Sequence, residues 1–291
     1  MPLSIDPANI KGLAFDLDGT ILNTGAVLAE RTRLAIRACA AMGIQIIIAT
    51  GRSIESVEPY RAALGVSGPM VYFNGAVVAE NSGLAAKPGL AKIHKTFLLS
   101  AEAAEFCIDI SRSMGIYLQI YFPPGPGESE WMLMSETDGL QRDNYTRHTG
   151  IESRLGDLKA ALKDRQGQGC VKGMFLAEPA ILSRLRPRLE EHFGQSVYLA
   201  RTSTSFLEIL NIDASKGNGL AFALEKRGIK KEQAIAFGDE ENDLPMFKAA
   251  AYFVAPGNAI DAVKAAANHI SLPNTEDGIA VFLEEFFHIG K

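Results

Sequence analysis

Short apolar runs recur along the chain, and several of them stop at a polar tip. Gly12-Leu13-Ala14-Phe15 stops at Asp16, Ile44 to Ala49 at Thr50-Gly51-Arg52, Met70 to Phe73 at Asn74-Gly75, and Ala234 to Phe237 at Gly238-Asp239. Runs without alternation suit strands covered on both faces, as in a parallel sheet. Between them the spacing turns helical. Leu34, Ala38, Ala41 and Met42 predict a helix within Ala26 to Met42 that closes at Gly43, Ser53 caps one that ends near Gly65, and another runs from Lys216 to Arg227. Tyr252 to Val254 and His269 to Leu272 predict two further strands, and Ile279, Phe282, Leu283 and Phe286 give a closing helix its apolar stripe. Strand, polar tip and helix in repetition is the pattern of a parallel α/β sheet, with ligands expected at the strand C-terminal ends.

The middle of the chain reads differently. Asn, Ser, Gly, Lys and Pro cluster over Asn81 to Gly89, which places a boundary near residue 84. Beyond it Ser100 caps a helix with Ala103, Cys107, Ile110 and Met114 on one stripe, followed by a strand at Ile116 to Phe122 and a Pro-rich turn at 123–127. A strand over Glu130 to Met134, with Trp131 read as core, leads into a polar loop from Glu136 to Gly150. A short helix over Leu155 to Asp164, strands over Cys170 to Ala177 and Ser196 to Leu199, and a helix from Pro179 to His192 complete this part. Pro187 is expected to kink or split that last helix near Arg186. The apolar run Phe206 to Leu210 is read as the return of the first domain, which gives a discontinuous core of residues 1–84 and 205–291 around an insert of residues 85–204.

A length of 291 residues fits two domains, and a net charge of −5 gives no global basic field for nucleic acid. The beginning, Met1-Pro2-Leu3-Ser4-Ile5-Asp6, has no basic leader, and no apolar run is long enough to span a bilayer, so a cytoplasmic protein is expected. Cys39, Cys107 and Cys170 are widely spaced among apolar neighbours, as reduced, buried thiols are.

The chemistry gathers at the polar tips. Asp16 and Asp18, two positions apart after a buried strand and before Gly19-Thr20, face one small volume while the chain stays extended. Two close carboxylates suit a hard divalent cation, general acid/base work or nucleophilic attack, although an Asp-Gly pair after a strand is also an ordinary turn. Taken singly, Thr50-Gly51-Arg52 reads as a turn, Lys216 as a solvated lysine, and Asp239 and Asp243 as charges at a helix start. Together and in order they form the set that phosphoryl transfer requires.

The segments D-L-D-G-T-I-L, A-T-G-R, S-K-G and G-D-E-E-N-D-L-P-M resemble, in order, the four signature motifs of the haloacid dehalogenase superfamily, and their spacing resembles its Cof-type sugar-phosphate phosphatases. The resemblance implies a Rossmann-like parallel-sheet core with an inserted α+β cap of the C2 type. It implies Asp16 as nucleophile and Asp18 as general acid/base. Mg²⁺ would be held by the carboxylates of Asp16 and Asp239 and the backbone carbonyl of Asp18. Thr50, Gly51, Lys216 and Asn242 would bind phosphate, and Asp243 would orient Lys216 or the metal's surroundings. Arg52, Asn74 and Gly75 are read as structural or cap-contacting. The expected partner is a small phosphorylated metabolite, with neither nucleic acid nor membrane. Two rivals remain at this level: a phosphomutase, and a sugar-phosphate-binding regulator with a vestigial site.

Overall fold

Burial of the apolar runs organises both parts of the molecule. A computed structural model describes residues 5–81, 91–125 and 131–290, and the chain divides into two compact units, one of residues 1–86, 91–94 and 215–291 and the other of residues 87–90 and 95–214.

The first unit opens with β1 (Gly12–Phe15), every residue of which is buried, then α1 (Glu30–Ala41), β2 (Gln45–Ile48) and α2 (Ile54–Leu64). The Ser53 hydroxyl accepts from the Ser56 amide to cap α2, and Gly65 ends it in the left-handed conformation. β3 (Met70–Tyr72) pairs antiparallel with β4 (Val77–Glu80), and these join β5 (Lys92–Thr96) in a three-stranded sheet.

The second unit contains α3 (Ala101–Met114), β6 (Tyr117–Phe122), β7 (Met132–Ser135), α4 (Leu140–Thr149), β8 (Arg154–Leu155), α5 (Leu158–Asp164), β9 (Lys172–Leu176), α6 (Pro179–Phe193), β10 (Val197–Ser203) and β11 (Phe206–Asn211). Its sheet runs β10-β11-β9-β6-β7-β8, antiparallel except for the β7–β8 pair. Alternation divides its faces. Leu118, Ile120, Phe122, Phe175, Leu207 and Ile209 share one apolar core with Cys107, Leu162, Leu185 and Leu189 of the helices. The alternate positions hold Tyr121, Lys172 and Glu208, with a buried Lys172–Glu208 ion pair at 2.8 Å.

The first unit resumes with α7 (Lys216–Lys226), β12 (Ala234–Phe237), α8 (Met246–Ala249), β13 (Tyr252–Ala255), α9 (Asp261–Ala266), β14 (His269–Ile270) and α10 (Gly278–Phe286). Its main sheet, β14-β13-β12-β1-β2, is wholly parallel, with Phe15 opposite Phe237 on one side and Ile48 on the other. The polar tips of β1, β2 and β12 therefore emerge at one end of neighbouring strands. This is an α/β parallel-sheet fold.

Several expectations need correction. The apolar run at residue 206 belongs to the insert, because β11 pairs with both β10 and β9, and the first unit resumes at Ser215. The stretch after Glu136 holds a helix, α4, ending at a left-handed Gly150, despite a polar composition that hid any stripe. α6 continues through Pro187, held by buried Leu182 and Leu185 before it and Leu189 after it. Trp131 is half-buried rather than core. The boundary expected near residue 84 and part of the Pro-rich turn lie outside the described residues. All three cysteines are buried and free. Among the described residues no helix is long and apolar enough to cross a membrane.

Candidate active site

Asp16 follows directly on β1 and is only 4 % exposed, so its carboxylate needs a partner. The partner is Lys216, the first residue of α7, whose Nζ donates to Asp16 Oδ1 at 2.6 Å and to Asp243 Oδ1 at 2.6 Å. Asp243, fully buried, uses its other oxygen to accept from the amides of Asp239 at 2.9 Å and Glu240 at 3.0 Å. It thereby fixes both the lysine and the loop that carries Asp239.

The turn after Asp16 folds over one carbonyl: Leu17 O accepts from the amides of Thr20, Ile21 and Leu22. Its hydroxyl-bearing member, Thr20, donates to Asp239 Oδ1 at 2.7 Å. Gly19 is required here, since its φ is +81° and a Cβ would stand 2.1 Å from Asp239 Oδ2.

One oxygen each from Asp16, Asp239 and Asp243 lies within 4.8 Å of the others, and all three residues are buried. Three carboxylates face a single ammonium, so the cluster is short of positive charge. Burial, opposed by Lys216, pushes the Asp16 carboxyl up to about 8, and burial together with Asp16 and Asp243 raises Asp239 well above the usual range. Burial would lower the Lys216 ammonium, but Asp16 and Asp243 more than offset it and raise its pKa. An all-oxygen donor set that lacks positive charge fits a hard divalent cation. Asp243 is committed to protein donors on both oxygens, whereas Asp16 and Asp239 each give only one oxygen to a side-chain donor among the described residues.

A family model for haloacid dehalogenase-like hydrolases matches residues 13–283. The chain belongs to that family. Among its relatives, the 5-amino-6-(5-phospho-D-ribitylamino)uracil phosphatase YitU of Bacillus subtilis is 29 % identical over 286 residues, covering 95 % of this chain and 97 % of that one. Among solved structures, TM0651 of Thermotoga maritima has a TM-score of 0.76 at 28 % identity, with 95 % of this chain and 97 % of that chain covered. A haloacid dehalogenase-like hydrolase of Bacteroides thetaiotaomicron has a TM-score of 0.78 at 24 % identity, covering 96 % of this chain and 100 % of that chain, a likeness of fold. By family and relatives, the enzyme class of this hydrolase is that of a phosphatase.

Asp18 lies outside the acid cluster. Arg52 grips it with a two-pronged pair, Nε to Oδ2 at 2.7 Å and Nη2 to Oδ1 at 2.6 Å. The guanidinium also donates to Ser56 Oγ at 3.3 Å and sits 5.2 Å over the Tyr60 ring, so it is fixed on α2. Reading Arg52 as structural or cap-contacting missed this pairing with Asp18. The available signal was a cation beside Thr50-Gly51 at the end of the neighbouring strand.

Thr50 is 1 % exposed, and its Oγ1 accepts from the Arg52 amide at 3.2 Å. Its carbonyl accepts from the Asn74 amide at 2.9 Å. Asn74, in the left-handed region at φ 55°, accepts through Oδ1 from Asn242 Nδ2 at 2.8 Å. The expected phosphate ligand Asn242 is thus oriented by Asn74, while its own Oδ1 is buried without a protein partner. Gly51 lies against the Asn74 side-chain amide. A Cβ on Gly75 would meet the Ser215 carbonyl at 2.0 Å, so that glycine lets the turn pack against the start of α7, which carries Lys216.

Proposed function

We propose that this hydrolase is a Mg²⁺-dependent phosphomonoesterase that acts on a small phosphorylated metabolite of the sugar-phosphate class through an aspartyl-phosphate at Asp16. The observation that carries the reading is the pairing of buried Asp16 with Lys216, beside Asp239 and Asp243, with a second carboxylate, Asp18, held apart two residues on. Lys216 fixes one oxygen of Asp16, and the other is the one offered to phosphorus.

In the first half-reaction an Asp16 oxygen forms the new bond to phosphorus as the bond to the leaving oxygen breaks, and Asp18 supplies the proton that neutralises the departing alkoxide. In the second, Asp18 takes a proton from water, the water oxygen bonds to phosphorus, and the acyl-phosphate bond breaks to restore Asp16. Asp18 must exchange its guanidinium partner for a proton during the cycle, and its half-exposed side chain leaves room for that. Lys216, the Thr50 hydroxyl, the Gly51 amide and the Asn242 amide are the donors for the phosphoryl oxygens. Mg²⁺ held by Asp16 and Asp239, with the Asp18 carbonyl, would supply the positive charge that lets an anionic nucleophile approach an anionic phosphate.

The substrate class draws support from YitU, whose name specifies a ribityl phosphate. The location that goes with this reading is the cytoplasm, where charged phosphorylated metabolites are retained. The test is phosphate release from a panel of sugar phosphates, ribityl phosphates, nucleotides and cofactor phosphates, with Mg²⁺ and with chelator. Turnover concentrated on sugar or polyol phosphates and abolished by chelation is expected. Release that is equal across the panel, or unaffected by chelator, would overturn it.

A further inference from the structure

The turn after Asp16 presents two carbonyls to asparagine side chains from much later in the chain. Asn258 Nδ2 donates to Gly19 O at 2.8 Å, and Asn274 Nδ2 donates to Leu22 O at 2.8 Å. The asparagines are tied together, because Asn258 Oδ1 accepts from the Asn274 amide at 2.9 Å. Two residues after Asn258, the Ile260 amide donates to the Asp239 carbonyl at 3.0 Å. One short segment beyond β13 therefore holds both acid-bearing loops, the one after β1 and the one after β12.

We infer that Asn258 and Asn274 are positioning residues, a strap that sets the Asp16–Leu22 turn against the Asp239 loop; this rests on the phosphatase reading above. The β1–β12 ladder has its last register pair at Phe15 and Phe237, one residue short of Asp16 and two short of Asp239. Within the turn, three amides share the single Leu17 carbonyl, a poor basis for holding a fixed shape. Lateral ties must supply the rest: Lys216 holds Asp16, Arg52 holds Asp18 and the Asp16 amide reaches the Phe237 carbonyl, while the Gly19–Leu22 end of the turn is tied by the Thr20–Asp239 hydrogen bond and the asparagine strap. Asn258 is exposed and bonds only backbone here, so its loss removes little from the folded core, whereas a displacement of about 1 Å at reacting groups costs on the order of a hundredfold in rate.

The discriminating variants are Asn258→Leu, Asn258→Asp and Asn274→Leu. Asn258→Asp keeps the acceptor for the Asn274 amide but loses the donor to Gly19 O, so it separates holding the turn from building the Asn274 loop. Both Asn258 variants are expected to lower kcat about tenfold or more with KM within about twofold and Tm within a few degrees of native. In both, the midpoint of Mg²⁺-induced thermal stabilisation, read with Mg²⁺ alone, should move to higher concentration. Asn274→Leu should show the same split to a lesser degree. Native kcat in Asn258→Asp, an unmoved Mg²⁺ midpoint, or kcat losses that simply follow Tm across the three variants would overturn the inference. A native enzyme without phosphatase activity would instead sink the functional reading, and the Mg²⁺ midpoint would still decide the strap.

Discussion

Arg52 closes on Asp18 with both prongs of its guanidinium, at 2.6 and 2.7 Å, from the first turn beyond the neighbouring strand. The arginine is 7 % exposed at its side chain and the aspartate 42 %, so the cation is the fixed member and the carboxylate the movable one. This geometry turns the second acid out of the crowded cluster and toward Arg52.

Removing that grip should affect substrates unequally. Arg52→Met leaves Asp18 without its orienting partner, and the loss should be largest where the leaving oxygen needs a proton. For a sugar phosphate, kcat/KM should fall by about two orders of magnitude, and for p-nitrophenyl phosphate by about one or less. Arg52→Lys should recover only part, since an ammonium cannot reproduce the two parallel hydrogen bonds. Equal losses on both substrates would mean that Arg52 does not act through Asp18.

The Asp16 cluster should make the metal-free protein sensitive to alkali. A carboxyl raised from 3.8 to about 8 in the folded state binds its proton more tightly there than in the unfolded chain. Its stabilising contribution is complete below the unfolded value and is lost as pH rises through about 8; Asp239 shifts in the same direction. In chelator, Tm should decline between about pH 5 and 8, with the slope reduced in Asp16→Asn and abolished by Mg²⁺. A flat native profile in chelator would contradict the charge deficit.

Lys216→Met should be costly in both stability and activity. It strips the ammonium from two buried carboxylates, and breaking a buried pair from one side destabilises by about 3 kcal/mol or more. Protonation of the freed Asp16 carboxylate should soften the loss at low pH, so urea midpoints should differ more from native at pH 8 than at about pH 5. Turnover should fall beyond detection at either pH. A variant of native stability at high pH would show that Lys216 is not the group neutralising Asp16 and Asp243.

Much of this site is legible in the sequence, because its residues stand next to apolar strands that announce themselves. Asp16, Thr50 and Asp239 each follow such a run, and Lys216 follows Ser215, whose hydroxyl accepts from the Asn218 amide at the helix start. The links between tips are less visible. That Arg52 reaches Asp18, that Asn74 turns Asn242, and that Asn258 holds the Gly19 carbonyl depend on which strand lies beside which, and periodicity does not carry strand order. The same ignorance misplaced Phe206–Asn211: a strand buried in either sheet looks alike, and only its pairing with β9 and β10 assigns it to the insert. α4 was hidden for another reason, since its composition is polar around most of its circumference.

The roles of Asp16 and Asp18 should separate cleanly in transient kinetics. Asp16→Asn removes the proposed nucleophile, so no phosphoryl-enzyme and no burst should appear with any substrate. Asp18→Asn leaves the nucleophile and the Lys216 contact in place but removes the acid and the base. A sugar phosphate, with a poor alkoxide leaving group, should then react very slowly. An aryl phosphate or acetyl phosphate needs little protonation and should still phosphorylate Asp16, after which water lacks its base. Phosphoryl-enzyme should accumulate, seen in rapid-quench experiments as a burst stoichiometric with enzyme and by mass spectrometry as one phosphoryl group on the peptide that contains Asp16. Arg52, still held by Ser56 and Tyr60, should grip the new amide less firmly than the native carboxylate, so Asp18→Asn combined with Arg52→Met should be hardly slower than Asp18→Asn alone. A label on another residue, an Asp16→Asn variant turning over near the native rate, or fully additive losses in the double variant would each remove a named part of this mechanism: the nucleophile in the first two cases, the Arg52–Asp18 partnership in the third.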